Sequence, residues 1–304
     1  MHSLDNPFHL DTAPAMITAD GRTRRVGVEV EFLGPSVNAA AAALARDLGG
    51  VVEPEDAHAV KLRGTRLGDL SVEMDLRHVH PVRHPDLGFR LGPRGAAVLG
   101  FLVSPIVPRE LITAPLPSAQ LGVVDQALAS LRAAGAWGRG AVFLTSLSLH
   151  FNIDPPRLDA RTLTTYLKAF LRVSDDLRRQ TARGSSRLTL ALPPDYPQSY
   201  KDHVLAPDYW PCLSDLTADY LAANPTRQRA LDLLPVLAYL NEEQVRQALP
   251  QEKIGARPVL HYRLPHAHLS DPSWSILPDW HRWLAVERIA AGLARSEPVP
   301  QELA

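Results

Sequence analysis

Five stretches of this chain alternate apolar and polar residues, and in each the polar side carries groups that bind metal ions or phosphates. Strand side chains alternate faces, so a period of two describes half-buried β-strands with their chemistry on one side. In Arg25 to Phe32, Val26, Val28, Val30 and Phe32 share one side and Glu29 and Glu31 the other, which stands two carboxylates about 7 Å apart. Leu70 to Leu76 opposes Ser71, Glu73 and Asp75 to four apolar residues, and Leu147 to Asp154 opposes Ser148, His150, Asn152 and Asp154 to four more. Leu260, Tyr262 and Leu264 oppose His261 and Arg263, while in Val107 to Ile112 the side chain of Glu110 points away from Leu111. If these strands share a sheet, acids, imidazoles and an arginine converge on one face. Any one of them alone is also what a strand with one wet side shows.

Between the strands the pattern shifts to helical spacing. Ser118 precedes Leu121, Val124, Leu128 and Leu131, with Gly135 as the stop. Asp159 opens a longer helix with a stripe of Leu163, Tyr166, Leu167, Phe170, Leu171 and Leu177, ending before Gly184. Asn224 before Pro225 predicts another start, Pro235 a kink or division, and Asn241 with Gln244 a capping box. Trp280, Trp283, Leu284 and Glu287 define a last helix whose tryptophans are expected to anchor the core. From about 183 to 223, five prolines interleave with Tyr196, Tyr200, Tyr209 and Trp210, which predicts a long loop or lid.

Composition narrows the function classes. The 304 residues carry a formal net charge of -1 with scattered Lys and Arg, so no basic footprint invites nucleic acid. The N-terminus has neither the basic start nor the apolar core of a signal peptide. The greasiest run, Ala96 to Val107, is interrupted by Gly100, Ser104 and Pro105 and falls short of the roughly 20 residues of a membrane span. A cytoplasmic protein without membrane segments is the expectation, and the single cysteine, Cys212, suits it.

Adjacent carboxylates with one histidine and one amide supply mostly hard oxygen ligands, which suit Mg2+ or Mn2+ better than zinc or copper. His78, His80 and His84 in HVHPVRH could hold zinc, but Pro81 and Pro85 favour a loop with solvated or hydrogen-bonded rings, and His266 with His268 reads the same way. The chain has no Walker loop, dinucleotide fingerprint, serine-hydrolase elbow or cysteine-nucleophile signature.

The ordered motifs resemble a family, the carboxylate-amine ligases that include glutamine synthetase, glutamate-cysteine ligase and, nearest in motif, the putative amidoligase enzymes. RVGVEVEF resembles their opening Gly-x-Glu-x-Glu strand, ELITAPLP a further metal-carboxylate strand, and LHFNID the His-x-(His/Asn) strand. NPTRQRALDLLPVLAYL and RPVLHYRLPHAHLSDPSWSILPDWHRWLAVE resemble the C-terminal part of one amidoligase branch.

The resemblance implies an α+β fold, a curved, mostly antiparallel sheet of the glutamine-synthetase type with helices on its convex face, as a single catalytic domain over residues 1–304. It implies an ATP- and Mg2+- or Mn2+-dependent ligase that joins a carboxylate to an amine, small molecules or peptides, through an acyl phosphate. Carried over, Glu29, Glu31, Glu73, Asp75, Glu110 and His150 would be metal ligands, and Asn152 would join His150 and Arg263 at the nucleotide. Arg263 would stabilise phosphate charge, with Glu29 and Glu73 beside it in catalysis. His261 stands where the glutamate-cysteine ligase strand has Glu, and Leu264, Pro265 and His266 follow where many amidoligases have an asparagine. The likeness also leaves a homo-oligomer open, although no residue demands a ring. The rivals are a metal-dependent phosphoesterase or hydrolase, in which the same carboxylates activate water, and a scaffold that binds without catalysis. A glycosidase is weaker, because carboxylates neighbouring on one strand leave no room for a sugar between them.

Overall fold

Val26, Val28, Val30 and Phe32 are almost wholly buried, and their strand, Arg25–Phe32 (β1), runs through the middle of the sheet. The computed structural model describes residues 13–83, 91–138, 141–142, 145–182, 192–252 and 254–296. Next in the chain come the strands Val51–Asp56 (β2), Ala59–Thr65 (β3) and Gly68–Met74 (β4). Arg109–Thr113 (β5) and Leu116–Pro117 (β6) follow, then a separate small hairpin, Ala141–Val142 (β7) with Thr145–Ser146 (β8). Leu149–Ile153 (β9), Leu231–Asp232 (β10) and Leu260–Tyr262 (β11) complete the set.

The main sheet runs β10-β11-β9-β1-β5-β4-β3-β2, with β6 also paired to β1. Every pairing in it is antiparallel, and the sheet is curved and unclosed. All five alternating stretches fall in this one sheet. With the helices below, it makes the fold α+β, as the motifs imply.

The apolar side of the sheet is covered by helices. Val37–Leu48 (α1) starts at Ser36, whose Oγ accepts from Ala39 N–H at 3.2 Å. Its small alanines let it lie close against β3 and α3. Pro93–Val103 (α2) precedes β5, and Leu121–Ala133 (α3) ends at Gly135, whose φ of 89° only glycine adopts readily. Ala160–Ala182 (α4) begins where the Asp159 carboxylate accepts from Thr162 N–H at 2.7 Å. The last helix (α9 in chain order), whose N-terminal half bears Trp280 and Trp283, spans Leu277–Ser296 and packs along α4. Phe151 of β9 meets Trp280, and Tyr262 of β11 meets both Phe170 and Trp283. Beneath these rings lies a buried ion pair. Arg24 Nη2 donates to Glu287 Oε1 at 2.8 Å and Nη1 to Oε2 at 3.0 Å, while Tyr166 Oη and Trp283 Nε1 also donate to Glu287.

Four expectations need correction. The described part of the predicted loop, residues 192–223, holds two helices, Gln198–Leu205 (α5) and Leu213–Ala223 (α6). Pro197 caps the first and Pro207 and Pro211 lie between them, so the prolines bound helices instead of breaking them. Tyr196, Tyr200 and Tyr220 are buried, and the Tyr196 hydroxyl donates to the carbonyl of Leu231 in β10, so this part of the chain is packed helical structure. Residues 183–191, where the long helix was expected to end, lie outside the described residues. Asn224 opens no helix, for it terminates α6. Pro235 sits in the first turn of Leu234–Leu240 (α7) and so begins a helix without kinking one. Before Glu242–Ala248 (α8), Asn241 donates its amide to Gln244 and makes no side-chain cap. Among the described residues, no helix is long and apolar enough to cross a membrane.

Candidate active site

Sheet register explains why the polar residues meet. Glu110 on β5 stands opposite Glu31 on β1 and opposite Glu73 on β4, which draws three carboxylates into one row across adjacent strands. In the next row Glu29 faces His150 on β9. In the third, Asn152 lies between Gly27 and His261, and His261 faces Asp232 on β10. Arg263 follows β11 by one residue, and its guanidinium donates to the Arg227 carbonyl.

The two halves of this face differ in how their charges are matched. Glu31 Oε2 accepts the Ser148 N–H at 2.8 Å. Burial still lifts the Glu31 carboxyl to about 7, with Asp75 adding repulsion. Glu110 is pushed well above the ordinary range, first by desolvation and then by Glu29, Glu31, Asp75 and Glu73. Asp75 is raised too, by desolvation of its carboxyl and by Glu73. Glu73 has a partner, since Arg83 bridges it to Glu55.

Glu29 shows the reverse. Burial acts to raise it, yet His150 and His261 hold it well below the ordinary value. His150 Nδ1 donates to Oε2 at 3.0 Å, Asn152 Nδ2 to Oε1 at 2.8 Å and Arg257 Nη1 to Oε1 at 3.2 Å. Burial, with His261 and Arg263 near, pushes His150 down to about 4 despite its bond to Glu29, so its ring is neutral at pH 7. One ligand atom from each of Glu29, His150 and His261 falls within 4.8 Å of the others.

Glu29, Glu31, Glu73, Asp75, Glu110, His150, Asn152 and Arg263, the residues singled out from the sequence, therefore all lie on one side of one sheet. Other candidates lie apart from it. His80 Nδ1 lies against Asp56 Oδ2 and its Nε2 against the Met74 carbonyl oxygen, both at 2.8 Å, which is a structural role. His84 lies outside the described residues. His266 and His268 meet edge to face, with His268 against Trp274. Cys212 is exposed, ahead of α6.

Arg227 and Arg257 escaped sequence reasoning because they sit in segments without strand periodicity. Arg257 reaches Glu29 from 228 residues away. Arg227 is lowered by desolvation and, against Asp232, by the like charges of Arg77 and Arg263, a crowding of guanidinium groups that an anion would relieve.

An antiparallel α+β fold with a row of buried and half-buried carboxylates on its open sheet face, and arginines beside them, defines the class. The model of the putative amidoligase enzyme family matches residues 22–285, and the chain belongs to that family. No curated protein and no solved structure matches it.

Proposed function

We propose that the chain is one catalytic domain, an ATP-dependent carboxylate-amine ligase using Mg2+ or Mn2+ to form an amide or isopeptide bond through an acyl phosphate. The observation that carries this reading is the row Glu73, Glu110 and Glu31, in which burial and neighbouring carboxylates raise Glu110 and Glu31, beside Arg227 and Arg263. Such a face is complete only with cations between the acids and an anion against the guanidinium groups. Family membership and the open antiparallel sheet support a scaffold of the glutamine-synthetase type.

The donor set fits hard divalent ions at Glu31, Glu110 and Asp75, with Glu73 available once Arg83 lets go, and Glu29 and His150 complete the expected ligands. Bound there, the ions would neutralise the charge of the nucleotide phosphates, which is most of what phosphoryl transfer asks of a protein. Asn152 holds Glu29 in place, and its Oδ1, buried without a hydrogen bond, adds an acceptor to the face. Arg263 presents a guanidinium fork, suited to a transferred phosphoryl group or acyl phosphate. The neutral His150 ring leaves the Glu29 charge undiminished for a cation. Small-molecule or peptide carboxylates and amines are the substrates this chemistry takes.

The test is release of ADP and phosphate by purified protein with ATP and Mg2+ against pools of amino acids, amines and short peptides, with mass spectrometry of products. ADP formation that requires both a carboxylate and an amine, with a product lighter than their sum by one water, is expected. Phosphate release from simple phosphoesters without nucleotide dependence would transfer the site to the hydrolase reading.

A further inference from the structure

We infer that Glu29, His150 and His261, backed by Asp232, form a site for a divalent transition-metal ion that prefers imidazole nitrogen to the all-oxygen shell of Mg2+. This deepens the reading of the sheet face as cation-binding and rests on it.

His261 is 3 % exposed, and neither of its ring nitrogens makes a hydrogen bond. Leaving a buried polar group without a partner is costly, so a fold that keeps two such atoms on one ring has another use for them. Nε2 lies 3.8 Å from Glu29 Oε2, and Nδ1 lies 3.5 Å from Asp232 Oδ2, an oxygen that is itself buried without a hydrogen bond. The His150 and His261 rings meet edge to face at 5.1 Å, so they do not stack face to face.

Glu29 is presented in a matching way. Its Oε1 is taken by Asn152 and Arg257, which leaves Oε2 facing the two imidazoles. Asp232 is fixed by its register opposite His261 and by Leu234 N–H donating to its Oδ1 at 3.0 Å. A carboxylate behind a histidine orients the ring and strengthens it as a donor. Two imidazoles and one carboxylate, with positions left open, suit Mn2+, Fe2+, Co2+ or Zn2+, whereas Mg2+ favours oxygen ligands and retained water. The Glu31 and Glu110 pair, with oxygen donors alone, keeps the character of a Mg2+ site.

The protein stripped by a chelator is titrated, without nucleotide, with Co2+ and with Mg2+ by calorimetry, and loaded with one equivalent of Mn2+ for pulsed electron paramagnetic resonance to count coupled nitrogens. Two imidazole nitrogens on Mn2+ and a preference for Co2+ of at least about 100-fold are expected. His261→Gln should remove one nitrogen and most of that preference, and Asp232→Asn should weaken Co2+ by about 10–100-fold. One coupled nitrogen or none in the unaltered protein, or a preference that survives His261→Gln, overturns the inference. Should His261→Gln fail to fold, the nitrogen count in the unaltered protein decides alone. Because no ATP or substrate is present, failure here leaves the ligase assay with Mg2+ untouched, and failure of that assay leaves this count standing.

Discussion

Two groups of buried carboxylates lie on opposite sides of the sheet, and they are solved in opposite ways. On the helix side, Glu287 receives four donors from Arg24, Tyr166 and Trp283, so its charge is fully matched. On the open side, Glu31 and Glu110 face each other across β1 and β5 with one backbone N–H between them, and both are driven toward the protonated state. A matched buried charge serves the fold. Crowded, unmatched ones act against it and make sense as a place for something the chain itself does not supply.

The comparison is open to breakage. Glu287→Ala leaves the Arg24 guanidinium buried and unpaired, and should lower unfolding stability by about 3–5 kcal/mol in a urea titration. Glu110→Gln should do the reverse, keeping or raising the urea midpoint of ion-free protein while cutting turnover by about 10²–10³-fold, the scale of losing one preorganised electrostatic group. A Glu110→Gln protein that turns over normally would remove this residue from the site. Tyr166→Phe deletes one donor to Glu287 and should cost about 1.5–3 kcal/mol, seen as a lower thermal midpoint with activity unchanged at room temperature.

The smallest effect is a pH dependence. Glu31 sits at about 7, above its ordinary 4.5, so in that interval the folded chain keeps a proton the unfolded chain has released. Ion-free protein therefore loses stability as pH rises from about 4.5 to about 7. A divalent ion must displace the same proton, so the Glu31 share of Mg2+ affinity should climb by about tenfold per pH unit up to about 7 and then level off. A flat affinity profile across that range in calorimetry would separate Glu31 from the cation.

The strands were readable because one side of each is pressed onto helices while the other is not, and a period of two records that asymmetry residue by residue. Glu29, Glu73, Glu110, His150 and Asn152 could be placed on one face for that reason. The α5 and α6 helices were not readable, since a count of prolines does not reveal that Pro197, Pro207 and Pro211 fall at helix ends. Asn224 before Pro225 carried the signature of a start at what is a helix end. Arg257 and Arg227 gain their place only from tertiary return of the chain, which no local pattern encodes. The order of the motifs carried the family, and the register carried the rows.

The pairing of Glu29 with Arg257 spans 228 residues, and that of Arg24 with Glu287 spans 263. Contacts of such separation require the long loop between them to close, at an entropic cost. During synthesis, β1 leaves the ribosome long before β9, β11 or Arg263 exist to sit beside it, and its acidic face waits unpartnered for most of translation. Any fragment that stops short of β11 lacks His261 and Arg263, so it can display the opening Glu-x-Glu strand without having the full polar face. A complete polar face is thus a readout of whether the chain has been made through β11 and folded.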